Sequence, residues 1–104
     1  MPRLADSHIH LDAVAFDTDR DAMLARARAA GVDTLVVPAV DASSWPRIRA
    51  LAVPGSGIHA AYGLHPLFIA RHRREHLTEL DAWLGRERAV AVGEIGLDFH
   101  DPAT

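Results

Sequence analysis

The sequence of 104 residues contains no cysteine and no lysine. Without cysteine, the chain can form neither disulfide bonds nor thiolate metal sites, and it has no cysteine nucleophile. Without lysine, it can supply neither a Schiff base nor a carbamylated lysine, and all 11 of its basic residues are arginine. These chemistries are therefore excluded for this chain.

A long apolar run and an excess of positive charge are also missing. No stretch approaches the roughly 18 apolar residues that a membrane-spanning helix needs, and residues 1–12 lack the apolar core of a secretory signal. The net charge is −3, so the composition gives no basic footprint for non-specific binding of nucleic acid. We therefore expect a cytoplasmic protein without a membrane partner, in which any nucleic acid is held locally.

The composition is 49% hydrophobic and 24% charged, which is typical of a soluble globular protein with a packed core. The length suits one small domain over residues 1–104. The hydrophobic pattern alternates between short apolar runs and helical periodicity. Strands are predicted at residues 3–11, 33–40, 58–66 and 89–97, and helices at residues 17–31, 41–52 and 75–88.

Capping residues, glycines and apolar periodicity predict the ends and the buried faces of these helices. Asp17 or Thr18 is predicted to cap the first helix and Gly31 to end it. The buried faces are expected to carry Met23, Ala27 and Ala30 in the first helix, and Leu77, Leu80 and Leu84 in the last, which Gly85 should end.

The alternation of strands and helices predicts a parallel α/β sheet of right-handed crossover units. A complete (β/α)₈ TIM barrel takes about 250 residues, so four β/α units correspond to half of one. The competing architecture is a small open α/β sheet.

The first predicted strand carries a His-x-His pair. Because side chains alternate between the faces of a strand, His8 and His10 should point the same way and Ile9 the other. Two imidazoles at that spacing can bind one divalent ion, but they can equally be a partly exposed polar pair. In the metal interpretation, Asp6 or Asp12 could orient a ligating imidazole.

Two further strand ends carry polar groups. Glu94 shares a strand face with Val90 and Val92, and a carboxylate there is costly unless it is paired or bound to a metal. The alternative is an exposed loop glutamate. His65 follows the third strand. In a parallel barrel these carboxyl ends lie on one face, so the sequence predicts that the polar groups converge.

Three motifs together resemble the TatD family of metal-dependent hydrolases: "DSHIHLD" at residues 6–12, "YGLHP" at residues 62–66 and "VGEIGLDFH" at residues 92–100. The resemblance implies the N-terminal half of a TIM barrel that cleaves phosphodiester bonds of DNA with a metal-activated water. It implies one or two divalent cations, Mg²⁺ first, with Mn²⁺ or Zn²⁺ as alternatives. The absence of lysine favours this family over amidohydrolases with a bridging carbamylated lysine.

Carried over by motif, the resemblance makes His8, His10 and Glu94 metal ligands. It makes His65 a contact to the substrate phosphate and gives Asp98 a supporting role behind the ligands. It assigns no catalytic base in this chain, because the family takes its base from the second half of the barrel.

The resemblance is incomplete, since two later histidines and an aspartate of the family's metal site have no match. His72, His76 and His100 lie in the wrong predicted elements. The chain is therefore expected to be the N-terminal part of an enzyme, a partner for a C-terminal half, or an inactive remnant. Open sheet edges would favour self-association. Another alternative is an amidohydrolase or phosphoesterase of the same fold acting on a small molecule.

The run "ARHRREHL" at residues 70–77 gathers Arg71, Arg73 and Arg74. These arginines could grip a nucleic-acid backbone near the metal. We favour the simpler interpretation, in which they begin a solvated helix.

Overall fold

The computed structural model describes residues 2–99. Met1 and residues 100–104 lie outside the described part, so the prediction for His100 does too. The strands are β1 (Leu4–Asp6), β2 (Val32–Pro38), β3 (Ile58–Tyr62) and β4 (Ala91–Val92). The α-helices are α1 (Arg20–Ala29), α2 (Trp45–Leu51) and α3 (Glu75–Arg86), and 3₁₀ turns occupy Val14–Phe16, Ala42–Ser44 and Pro66–Arg71.

The four strands form one sheet in the order β1-β2-β3-β4, and every neighbouring pair is parallel. In register, Leu35 of β2 pairs with Asp6 on one side and with Ile58 on the other. Each strand lies beside the next one in sequence and is joined to it through a helix, as the alternating pattern predicts.

The core lies between the sheet and its helices. Strand β2 contributes Leu35 and Val37, α2 contributes Trp45 and Ile48, and all four are almost fully buried. The polar edge of Trp45 is also satisfied, because its Nε1 donates to the backbone oxygen of Gly63 at 3.1 Å. This packing anchors α2 beside the carboxyl end of β3, where the loop toward the candidate site begins.

The first helix is shorter than predicted. It begins at Arg20, and Asp17 does not cap it; the Asp17 carboxylate instead accepts a hydrogen bond from Arg20 at 2.8 Å. Its buried residue is Leu24, whereas Ala30 is exposed. Gly31, with a φ of 97°, follows the helix as predicted.

The two outer strands are also much shorter than predicted. Residues 3–11 supply only the three residues of β1, and residues 89–97 supply only the two residues of β4. Each outer strand pairs on one side only, so its ladder ends as soon as the chain turns away from its single neighbour. Consequently His8, His10 and Glu94 lie in loops beyond the carboxyl ends of their strands.

The last helix continues through Gly85 to Arg86. Leu80 and Leu84 pack against the core, as predicted. Leu77 does not, because 63% of it is exposed. No helix within residues 2–99 is both long and apolar enough to cross a membrane.

Candidate functional site

Two histidines and one carboxylate meet above the sheet. His8, His10 and Glu94 each present one ligand atom, and these atoms all lie within 4.8 Å of one another. The Nε2 atom of His8 lies 3.5 Å from Oε1 of Glu94, and that of His10 lies 3.3 Å from Oε2. The predicted convergence of the strand ends is therefore observed for these three residues.

The cluster joins the two outer strands of the sheet, so the backbone must bring opposite edges together. The loop after β1 is tied to β2 by the bond from Ile9 N to Val36 O, at 3.0 Å. The loop after β4 is tied to the extension of β2 by the bond from Glu94 N to Ala39 O, at 2.9 Å. Both loops thus follow β2, which places their side chains on the same side of it.

The tautomer of His10 is set by the backbone. Its Nδ1 lies 3.1 Å from the carbonyl oxygen of Pro38, and a carbonyl can only accept, so Nδ1 carries the proton. In the neutral ring, Nε2 then presents a lone pair toward Glu94. The Oε2 atom it faces is buried and has no hydrogen-bond partner among the described residues.

Two lone pairs facing each other at this distance repel unless a cation or a proton lies between them. Two imidazole nitrogens and a carboxylate are a common ligand set for divalent metals. The orphaned oxygen of Glu94 and the lone pair of His10 therefore fit a bound divalent cation.

The residue that orients His10 is not the one expected from the sequence. Asp6 accepts a hydrogen bond from the backbone N–H of His8 at 3.1 Å, so this contact is with backbone rather than with an imidazole. Asp12 is buried, and this burial raises the pKa of its carboxyl group, although its own backbone N–H and the nearby His10 act in the opposite direction. The Pro38 carbonyl does the orienting, and a backbone acceptor has no signature in sequence.

His65 reaches the same carboxylate from the third strand, with its Nε2 3.5 Å from Oε1 of Glu94. Its Nδ1 accepts a hydrogen bond from the backbone N–H of Leu67 at 3.0 Å. The proton of the neutral ring is therefore on Nε2. The neutral His10 ring thus presents a lone pair to Glu94, whereas the neutral His65 ring presents an N–H donor.

Gly63 is a site residue that the sequence reasoning missed. A Cβ at this position would collide with the backbone of Gly93 and Glu94. The glycine of "YGLHP" therefore lets the chain after β3 pass directly beside the backbone that carries the carboxylate. A glycine two residues before His65 was the available signal.

The remaining predicted residues lie around the site. His72 donates from Nε2 to the backbone oxygen of His65 at 2.7 Å, and His76 accepts at Nδ1 from Arg73 N at 3.1 Å. Neither belongs to the ligand cluster. Asp98 is partly buried, and its supporting role stays a prediction.

Comparisons with known proteins agree with this geometry. Residues 5–104 match the family model described as TatD related DNase. The chain is 44% identical over 99 residues to the uncharacterized metal-dependent hydrolase YjjV of Escherichia coli, covering 93% of this chain and 38% of that protein. It is 36% identical over 95 residues to the 3'-5' ssDNA/RNA exonuclease TatD of Cronobacter turicensis, covering 91% and 36% respectively.

The solved structures give the same result. The crystal structure of YjjV superposes with a TM-score of 0.88 at 41% identity, and the match covers 96% of this chain and 39% of that one. The chain thus spans well under half the length of the relatives it matches. Its curled four-stranded sheet corresponds to the N-terminal half of a TIM-type barrel, which confirms the fold prediction over a small open sheet.

Proposed function

This chain belongs to the TatD family of metal-dependent hydrolases, and on that premise we propose that His8, His10 and Glu94 bind a divalent cation for the hydrolysis of phosphodiester bonds in DNA. The observation that carries the proposal is the buried Oε2 of Glu94, which has no hydrogen-bond partner within residues 2–99 and faces the lone pair of His10.

The role that we assign to each residue depends on whether it offers a lone pair or an N–H. A divalent cation at this cluster would lower the pKa of a water molecule and neutralise charge on the phosphate. Glu94 and His10 offer lone pairs, and the Pro38 carbonyl keeps the His10 lone pair directed at the site. His65 presents an N–H, so we assign it a hydrogen bond to a non-bridging phosphate oxygen rather than a metal bond.

The identity of the metal is part of the proposal. The family resemblance favours Mg²⁺, but Mg²⁺ prefers an octahedron of oxygen ligands. Two imidazoles and one carboxylate are better suited to Zn²⁺, with Mn²⁺ between the two. We therefore expect the isolated cluster to bind Zn²⁺ and Mn²⁺ more tightly than Mg²⁺.

The substrate class rests on the names of relatives. The Cronobacter protein is named an exonuclease on single-stranded DNA and RNA, and a human relative that is 35% identical over 108 residues is named deoxyribonuclease TATDN3. We extend these names to a nucleic-acid substrate for this chain, with DNA preferred. The cytoplasmic location expected from the sequence stays a prediction.

The proposed domain is a partial one. Residues 1–104 cover 36–39% of the relatives compared above, and no general base is assigned within the described residues. We propose that the base and the remaining ligands come from a C-terminal half, joined through the edges of the sheet.

Metal binding is the first test. The purified chain is titrated with Mn²⁺ and followed by electron paramagnetic resonance, and Glu94→Gln is compared with the parent. We expect one Mn²⁺ per chain and at least about tenfold weaker binding in the variant. His76→Gln is the matched control, because His76 lies outside the cluster. Equal binding by Glu94→Gln and the parent would contradict the proposal.

The substrate is tested separately with this chain joined to the C-terminal half proposed above. Single-stranded DNA, small phosphate monoesters and amides are offered in the presence of Mn²⁺. We expect hydrolysis of DNA that Glu94→Gln abolishes. Turnover of an amide or a small phosphate ester without cleavage of DNA would favour the alternative function instead.

A further inference from the structure

His65 has an aromatic neighbour that is itself covered by an arginine. The ring of Phe68 meets the imidazole of His65 edge to face, with the centroids 5.5 Å apart. The guanidinium carbon of Arg71 lies 4.3 Å from the centroid of the Phe68 ring. The stack His65–Phe68–Arg71 thus runs outward from the candidate site.

The outer end of this stack is anchored to a different loop. Asp41 follows β2, and its Oδ2 accepts a hydrogen bond from Arg71 at 3.2 Å. Its other oxygen accepts from Ser43 Oγ at 2.7 Å and from Ser44 N at 3.1 Å. The aspartate is only 8% exposed. A buried carboxylate whose two oxygens both accept hydrogen bonds holds a guanidinium in a fixed position.

The same β2 extension holds the backbone of His65. The residue before Asp41, Val40, accepts a hydrogen bond from His65 N at 2.8 Å. One short segment, residues 40–41, therefore fixes His65 twice. It holds the backbone directly, and it reaches the imidazole through Arg71 and Phe68.

We propose that Arg71 is a positioning residue that, held by Asp41, presses Phe68 against His65 and so keeps the His65 Nε2–H directed at the phosphate position beside Glu94. The inference rests on the proposed substrate contact of His65. It assigns to Arg71 a role different from a direct grip on nucleic acid.

The different effects of the contacts made by His65 and Phe68 explain why a positioning residue is needed. The bond from Leu67 N to His65 Nδ1 selects the tautomer, and it acts at one edge of the ring. Phe68 contacts the ring edge to face, and it sits at a non-helical break in the 3₁₀ turn, with φ −101° and ψ 31°. The guanidinium of Arg71 lies over the Phe68 ring, and this cation–π contact holds the ring in place.

The experiment measures the ring of His65 itself. Nitrogen-15 spectra are recorded for the chain at a pH above about 8, and the His65 signals are assigned by their loss in His65→Gln. We expect a single Nε2–H tautomer in the parent. In Arg71→Ala and in Phe68→Ala, the His65 ring is no longer held in the orientation that accepts the bond from Leu67 N. The two ring nitrogens of His65 should then shift toward each other, as exchange between tautomers averages them.

Arg47→Ala is the matched control, because Arg47 is also an exposed arginine paired with an aspartate, Asp17, and neither residue belongs to the stack. It should leave the His65 signals unchanged. Arg71→Lys provides a second variant if Arg71→Ala unfolds: it keeps a cation for Asp41 but loses the flat face, and it should shift the signals in the same direction.

Unchanged His65 signals in folded Arg71→Ala or Arg71→Lys would overturn the inference. Binding of inorganic phosphate to the Mn²⁺-loaded chain is measured on the same samples. If Arg71→Ala weakens phosphate binding while the His65 signals stay fixed, Arg71 contacts the anion directly and the positioning role is wrong. If the parent binds neither Mn²⁺ nor phosphate but the variants still shift His65, the positioning role stands and the proposed function fails.

Discussion

The absence of a side chain at Gly63 determines where the Glu94 carboxylate can lie. A Cβ there would meet backbone rather than the movable end of a side chain, so relief requires moving the chain after β4. That chain carries Oε2 of Glu94, which faces His10. A metal site tolerates little displacement of its ligands.

We therefore predict that Gly63→Ala weakens Mn²⁺ binding at least about tenfold and lowers the free energy of unfolding by about 1–3 kcal/mol. The two quantities are measured by Mn²⁺ titration and urea unfolding. Gly85→Ala is the control for metal affinity, because the position of its Cβ is open. Full metal affinity in Gly63→Ala would show that the backbone can yield there without moving the carboxylate.

Because of Asp41, we expect the free energy of unfolding to depend on pH. Burial alone would raise the pKa of its carboxyl group, but the hydrogen bonds from Ser43, Arg71 and Ser44 N outweigh burial and lower it. A carboxyl group whose pKa is lower in the folded state stabilises the fold above its unfolded pKa of about 3.9, and this contribution is lost as the pH falls through the folded value.

Asp41→Asn keeps an oxygen for the Ser44 cap but loses the charge opposite Arg71. We predict that this variant is less stable than the parent by about 1 kcal/mol at pH 7, and that the difference shrinks as the pH falls below about 4. Urea unfolding at a series of pH values measures it. A difference that stays constant down to the lowest pH would mean that the charge of Asp41 contributes nothing.

At the scale of elements, α3 carries a glycine that neither ends the helix nor packs. The sequence predicts that Gly85 stops this helix, but the helix continues to Arg86. Glycine costs backbone entropy inside a helix, and the space around its Cβ position is open. We predict that Gly85→Ala raises the free energy of unfolding by about 0.5–1 kcal/mol, measured by urea unfolding. A destabilised variant would indicate that this turn of α3 departs from helical geometry in solution.

The inner elements were predictable, because their patterns reflect burial. Strand β2 was expected at residues 33–40 and lies at Val32–Pro38, and α3 was expected at residues 75–88 and lies at Glu75–Arg86. The outer strands were predicted to be longer than they are, because the alternation of apolar and polar residues does not indicate whether a neighbouring strand is present. Their true lengths depend on where β2 and β3 offer a partner.

The same reasoning separates the predictable part of the site from the rest. The meeting of His8, His10 and Glu94 followed from strand ends and motif resemblance. The groups that set their chemistry did not follow, because Pro38 contributes a carbonyl and Leu67 an N–H. Every residue carries these backbone groups, so only the fold reveals which ones face an imidazole.

At the scale of the whole molecule, both outer strands of the sheet expose apolar side chains. Leu4 in β1 is 51% exposed, and in and beside β4 Val90 is 55% and Val92 49% exposed. An unpaired strand edge with apolar side chains is a template for pairing with another chain. Eight strands close a barrel of this type, and residues 2–99 contain four.

We therefore predict that the 104-residue chain self-associates through these edges, so that its apparent mass in sedimentation velocity rises with concentration. Val92→Lys places a charge on the β4 edge and should weaken association at least about tenfold, because burying an unpaired ammonium is costly. Val53→Lys is the matched control, since Val53 is 52% exposed and lies in the turn before β3 rather than in an outer strand. Chelating divalent metals should leave the association unchanged, as the edges contain none of the three proposed ligands. A parent chain whose mass is independent of concentration, or equal effects of the two lysine variants, would contradict an edge-to-edge contact.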